Sequence, residues 1–257
     1  MSSTKRNILL VVEGGKQEPQ LFSTILREYD LDGNYELYSY NTNIYELYER
    51  MFAEGKENLE ALSFLGVLKE REKDPKLRAL LDKDYSDVLL IFDFDCQDNR
   101  FSFARLAEMQ NYFSESTDEG KLYINYPMVE ACKHFKTMPD EEYFSRKASL
   151  DVVYSKDKNL GYKALVNRES DYQSFERDFT RNILDNIIIL TVKKSLNICG
   201  FKSNSLNFSE LCRRVNHAAI LSSQQELFKI SNAVYVLGTC VLFVCDYSTD
   251  LIHIAES

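Results

Sequence analysis

Tryptophan is absent from this 257-residue chain, and so are CxxC pairs, a GxxxxGK[ST] loop, internal repeats and low-complexity tracts. No window of about 18 consecutive apolar residues occurs either, which argues against a membrane-spanning helix. The amino-terminal MSSTKRNILLVV lacks a small-residue cleavage site after its short apolar run, so the expectation is a cytoplasmic protein without a secretory leader. The six cysteines, at 96, 132, 199, 212, 240 and 245, have no histidine at zinc spacing; reduced, mostly buried thiols are expected. The missing phosphate-binding loop leaves Gly14 and Gly15 as an ordinary turn. Positive charge is in deficit, with a net charge of −9, which argues against a protein that coats nucleic acid without specificity. The deficit is local. Residues 1–135 hold 16 Lys and Arg against 25 Asp and Glu, whereas residues 136–257 hold 15 against 15. A cation site is therefore expected in the first half, and a nucleic-acid contact fits the second. Lack of Trp does not limit the core, because 16 Phe, 16 Tyr and a 44% hydrophobic fraction supply it.

The chain is organised around DVLLIFDFD, Asp87 to Asp95. Val88 to Phe92 is an unbroken apolar run that reads as a strand buried on both faces, as in the middle of a parallel sheet. Asp93 and Asp95 then sit at its carboxyl end, where open α/β sheets bind ligands, and the i, i+2 spacing of an extended chain predicts that they point the same way. NILLVV, residues 7–12, reads as a second buried strand closed by Glu13 and the glycine turn. A helix follows from Lys16, with Pro19 in its first turn and Leu21, Phe22, Ile25 and Leu26 on one face. Tyr35 to Tyr40 reads as a strand. Residues 44–83 read as a helical insertion, with Leu59, Leu62, Phe64, Leu65 and Leu68 at helical spacing and a restart at Asp74-Pro75. A helix over Ser102 to Phe113, a strand over Leu122 to Ile124 and a helix opening near Pro127, with Glu130 one turn in, complete a unit of residues 1–135. The remaining 136–257 reads as mainly helical, with one long helix over 171–198 and further helices at 206–219 and 223–246; VYVLGTCVLFV within the last is also compatible with a strand.

Three acidic features thus end up on one sheet edge: Glu13 after the first strand, Asp93-x-Asp95 after a central strand, and Glu130 at the head of a later helix. Several uncompensated carboxylates repel one another, and a hard divalent cation with oxygen ligands relieves this. Bound Mg²⁺ holds a phosphodiester and activates water, and two ions about 3.5 to 4 Å apart serve both ends of the displacement. Other polar residues have simpler readings. Asp98 suits the N-cap of a helix starting near Arg100, and Glu18 a first-turn residue favoured by the helix dipole. His134 reads as a satisfied core residue, and Lys193-Lys194 and Arg213-Arg214 as solvated faces, with phosphate contact as their functional alternative.

The blocks VVEGGKQEPQLF (11–22), IFDFDCQDN (91–99) and NYPMVEACKHF (125–135) resemble the three signature blocks of Toprim-fold proteins of the RloB type. They are also similar to the Toprim subunit of the PARIS anti-phage system and to overcoming-lysogenization-defect nucleases. The resemblance implies a Toprim-like (Rossmann-like) α/β fold with a central parallel sheet. It also implies a metal-dependent endonuclease that cuts RNA such as tRNA, or DNA, as an effector of phage defence and abortive infection. By position, Glu13 becomes the general base or a metal ligand, Asp93 and Asp95 the metal pair for Mg²⁺ or Mn²⁺, and Glu130 the additional acid. Lys16 and Lys133 become candidates for steadying the phosphate. An ATPase partner that restrains the nuclease and a homo-oligomer are further implications. The sequence departs from the pattern at Gly15, where the family has a glutamate, and in the third block, which lacks the Trp and the Leu run. The alternatives are a catalytically altered Toprim-like scaffold and a DxD nucleotide-sugar transferase, which leaves Glu13 and Glu130 unexplained. A phosphatase with an Asp-x-Asp nucleophile ranks lower, since that motif normally lies near the N-terminus.

Overall fold

A computed structural model describes residues 6–31, 35–52, 63–157, 159–202, 206–249 and 252. The apolar runs become strands: β1 (Ile8–Val12), β2 (Tyr35–Ser39) and β3 (Asp87–Asp93), followed by β4 (Ser114–Glu115) and β5 (Gly120–Asn125). They form one sheet in the order β2-β1-β3-β5-β4, parallel throughout except for the two-residue edge strand β4. Every residue of β1 and all but the last of β3 are buried, as unbroken apolar strands require when both faces are covered. Helix α1 (Gln17–Glu28) carries the chain from β1 to β2, on one side of β1; β3 lies on the other side. Strand order therefore reverses between β1 and β3, and the crevice at such a switch point is where open α/β sheets place ligands. The architecture is an α/β fold compatible with a Rossmann-like arrangement.

The insertion of 44–83 consists of α2 (Ile44–Phe52), α3 (Phe64–Arg71) and α4 (Pro75–Leu81); Leu59 and Leu62 lie outside the described residues. The restart at Asp74-Pro75 is a capped one, because the Asp74 carboxylate accepts the Lys76 N–H (2.7 Å). Helix α5 (Phe103–Tyr112) is capped by Ser102. In the second half the helices are α6 (Leu150–Val153), α7 (Tyr162–Glu169), α8 (Phe175–Asp178), α9 (Arg181–Ile198), α10 (Phe208–Arg214) and α11 (His217–Ser231). The single helix expected over 171–198 is thus divided, with Phe179 and Thr180 between α8 and α9. The stretch with two readings is also divided: β6 (Lys147–Ser149) pairs antiparallel with β7 (Ala233–Tyr235), and a 3-10 turn (Thr239–Leu242) then leads into α12 (Phe243–Ser248).

The two halves share one hydrophobic core. Phe22 of α1 packs on Phe243 of α12 with ring centroids 5.4 Å apart, and Tyr126 exchanges backbone hydrogen bonds with Leu237 (2.9 and 2.8 Å). Among the described residues no helix is long and apolar enough to cross a membrane. All six cysteines are free thiols. The paired lysines at 193 and 194 part company: Lys193 is exposed, whereas Lys194 is buried and donates to the carbonyls of Tyr143 (2.6 Å) and Arg146 (2.9 Å). Lys194 is thus a structural donor, unlike the exposed Arg213 and Arg214.

Candidate functional site

Glu13 continues the ladder of β1 by donating its N–H to Ile91 O (3.0 Å), which fixes its side chain at the mouth of the β1/β3 crevice. There its carboxylate accepts the backbone N–H of Asp93 (3.0 Å). Asp93 in turn accepts the N–H of Val129 (2.9 Å) and, more weakly, the amide of Asn125 (3.4 Å). The three loops after β1, β3 and β5 are therefore tied to one another through the acids they carry.

Asp95 departs from the extended geometry expected of it. Strand β3 ends at Asp93, and Asp95 adopts a left-handed backbone with φ of 39°, so the strand alternation that would align the two carboxylates does not hold. Asparagine and aspartate tolerate this region better than other non-glycine residues. The Asp95 carboxylate is steadied by the Asn43 amide (3.0 Å) and the Gln97 amide (3.3 Å). Asp98 is not a helix cap, since α5 begins at Phe103. It grips Arg100 through backbone and guanidinium (2.8 to 2.9 Å), and this pairing holds its carboxyl well below the ordinary range.

Glu130 lies in a 3-10 turn (Val129–Lys133), not in the first turn of an α-helix, and Pro127 precedes that turn after a cis Tyr126–Pro127 peptide. Its side chain is only 3% exposed. Lys163 Nζ of α7 approaches Glu130 Oε1 to 2.6 Å as an ion contact off the line of a hydrogen bond, so this buried oxygen has charge compensation without a hydrogen-bond partner.

Glu18 joins these acids, although its place in a first helical turn gives it no functional signal. It is 5% exposed and accepts the N–H of Gly14 (3.2 Å) across the glycine turn. A Cβ at Gly14 would stand 2.8 Å from Glu18 Oε2, so a side chain there would push the Glu18 carboxylate aside.

Electrostatics follow from crowding in a partly dry crevice. Burial pushes the Glu13 carboxyl up to about 8, opposed by the Asp93 N–H and reinforced by the charges of Asp95 and Glu18. Burial also raises Asp93 well above the ordinary range, with Glu13, Glu18 and Glu130 adding to it. Glu18 is raised by burial and by Glu130, against the Gly14 N–H and the Lys163 charge.

Glu13, Asp93, Asp95 and Glu130 are thus brought within electrostatic reach of one another. Neither of the two cations expected to serve the phosphate forms an ion pair with them among the described residues, although the Glu130 charge acts on Lys133. Lys16 is exposed at the start of α1 and makes no cap bond. Lys133 is turned inward, with Nζ 3.4 Å from Gln173 O and 5.3 Å from the centre of the Phe175 ring, and burial lowers its pKa. The lysine that does pair with one of these acids is Lys163. The donors are all oxygens, a set that fits Mg²⁺ or Mn²⁺ and not a soft metal. Among the described residues no three His, Cys, Asp or Glu side chains stand at the mutual spacing of a closed metal cage. The lone histidine of this region, His134, is a satisfied core residue bonded to Tyr162 (3.0 Å) and Glu169 (3.3 Å). No family model, no curated protein and no solved structure matches the chain.

Proposed function

We propose that the chain is a metal-dependent Toprim endonuclease that hydrolyses phosphodiesters in RNA such as tRNA, or in DNA, as a phage-defence effector restrained by an ATPase partner. One observation carries the reading: acids from three separate loops, together with Glu18, converge on the β1/β3 switch point, with Lys163 in ion contact with one of them. Glu13, Asp93, Asp95 and Glu130 would hold Mg²⁺ or Mn²⁺, which when bound orients the phosphodiester and makes water nucleophilic near neutral pH. Glu13 would serve either as a further ligand or as the general base; burial pushes its carboxyl up to about 8 in the metal-free chain, and a bound cation would lower it. The Val129 N–H and the Asn125 amide orient Asp93, while Asn43 and Gln97 orient Asp95. Lys163 neutralises Glu130.

A second reading, a Toprim-like scaffold without catalysis, is favoured by the absence of a closed three-ligand cage among the described residues and by Gly15 in place of an acid. Incubation of the purified chain with tRNA, plasmid DNA and a nucleotide sugar, in Mg²⁺, Mn²⁺ or EDTA, separates the classes. Cleavage of nucleic acid that disappears in EDTA and in Glu13→Gln is expected. Sugar transfer without cleavage would point to the DxD transferase, and inertness in every arm to the scaffold.

A further inference from the structure

A cleft of about 840 Å³ runs beside the carboxylates, between the Asp-x-Asp loop and the second half of the chain. Gln97, which bonds Asp95, and Met128, two residues before Glu130, form its wall on the sheet side. The opposite wall is the loop after α6 and the face of α7 that carries Lys163. The ion contact of Lys163 with Glu130 makes this lysine the junction between the cleft and the acidic site.

The charge of the cleft is opposite to that of the site it adjoins. Lys156, Lys163 and Arg168 line it, all exposed, against one carboxylate, Asp157, whose Oδ1 is already occupied by the Asn159 N–H (2.8 Å). Lys156 and Arg168 have no ion-pair partner among the described residues. Cations left unpaired along a concave wall attract a polyanion, and a row of them fits successive phosphates better than a single small anion. The first turn of α7 follows Gly161, which supplies no side-chain cap, so free N–H groups add donors on the same wall. Tyr154, 37% exposed, adjoins the lining residues Val153 and Ser155 in sequence, and its hydroxyl is turned to the Cys96 thiol. Cations beside a partly exposed aromatic suit a single strand. The volume falls within the roughly 300–1,000 Å³ of small-ligand clefts, room for a short run of one strand.

We infer that this cleft is a binding site for single-stranded nucleic acid, in which Lys156 and Arg168 hold backbone phosphates and Lys163 guides the strand to the carboxylates. The inference rests on the nuclease reading for what happens at the end of the cleft, but the binding itself does not need a metal. The division of charge along the chain acquires a use, since the acidic first half supplies the reaction site and the balanced second half the strand contacts.

Fluorescence anisotropy of the full chain in EDTA, with labelled single-stranded RNA and DNA dodecamers and a duplex of the same sequence, tests the inference without cleavage. The double variant Lys156→Glu/Arg168→Glu is compared with a charge-matched control outside the cleft, Lys76→Glu/Arg78→Glu on the exposed face of α4. The single strand is expected to bind more tightly than the duplex. The cleft variant should lose at least about tenfold in affinity and lower the steepness of the log–log salt dependence by about 1.4, two phosphates at about 0.7 each, while the control stays near wild type. Absence of binding by the wild-type chain, a duplex preference, or equal losses in the two variants would overturn it. A Mg²⁺ melt of the same proteins keeps the two readings apart. Wild-type protein that binds the strand through the cleft yet shows no Mg²⁺ stabilisation would defeat the metal site and leave the cleft standing.

Discussion

Glu13→Gln isolates the electrostatics of the carboxylate cluster with little change of shape. Glutamine has nearly the same volume and keeps an oxygen to accept the Asp93 N–H, the bond that ties β1 to β3. What it removes is a proton equilibrium. The folded protein holds the Glu13 proton up to about pH 8, whereas the unfolded chain releases it near 4.5, so the folded state binds more protons across that interval. Stability must then fall as pH rises through the interval, with the full loss reached above pH 8. At about 1.4 kcal/mol per pH unit the entire shift is worth roughly 5 kcal/mol, of which about 3 kcal/mol falls between pH 6 and pH 9. For a chain of this size ~1 kcal/mol moves Tm by ~2–4 °C, so wild type should lose roughly 6–12 °C more than the variant over that range. Burial lowers His134 and His217 to about 4, which adds stability as pH rises from about 4 to 6.5. Both proteins contain these histidines, so the difference between their melting curves excludes them. In wild type a divalent cation should offset the loss, by about 1.4 kcal/mol at ten times its Kd, and the variant should show a smaller response. Thermal melts in EDTA and in MgCl₂ at half-unit steps from pH 6 to 9 provide the measurement. Parallel profiles for the two proteins, with equal Mg²⁺ shifts, would refute the claim that Glu13 is an uncompensated member of the cluster.

The elements that could be read from sequence are those whose environment is uniform along their length. β1 and β3 are buried on both faces, so every position is apolar and no tertiary knowledge is needed to see them. Parallel strands then oblige Glu13, Asp93 and Glu130 to share one edge, which is why these three were legible from residue order alone. Asp95 was legible as a candidate but not in its orientation, because the strand stops two residues earlier and local backbone conformation takes over. Glu18 was hidden by its own helix. A first-turn glutamate has a sufficient local explanation in the dipole, and only the tight Gly14 turn aims it back at the crevice. Lys163 and Lys194 depend on contacts with residues 33 and 51 or fewer positions away in sequence, Glu130 and Tyr143 and Arg146, that no periodicity encodes. β6 and β7 are three residues each, too short for an alternation to register.

Under denaturing conditions without reductant all six cysteines should alkylate, each adding one adduct to the intact mass. A deficit of two would reveal a disulfide, with Cys132 and Cys240, whose sulfurs lie 3.4 Å apart, as the first pair to examine. Phe94→Ala should cost about 3–5 kcal/mol in urea denaturation, because this fully buried ring packs on Phe101, Phe103 and Tyr126 at 5.2 to 5.7 Å. A loss under about 1 kcal/mol would mean that the neighbouring rings close the gap. Lys194→Met keeps the length of the side chain but leaves the carbonyls of Tyr143 and Arg146 without a donor, at about 1–3 kcal/mol each. Burial and the nearby Arg146 charge lower the Lys194 pKa well below its ordinary 10.5, so the folded protein gives up a proton that the unfolded chain retains. Wild type therefore gains stability as pH rises toward 10.5 and the variant does not, which widens the gap between them. A neutral amine suits the site, since its two N–H bonds match the two carbonyls. A deficit identical at pH 6 and pH 9 would show instead that Lys194 stays charged when folded, held by those carbonyls and by the Tyr143 ring 4.2 Å away.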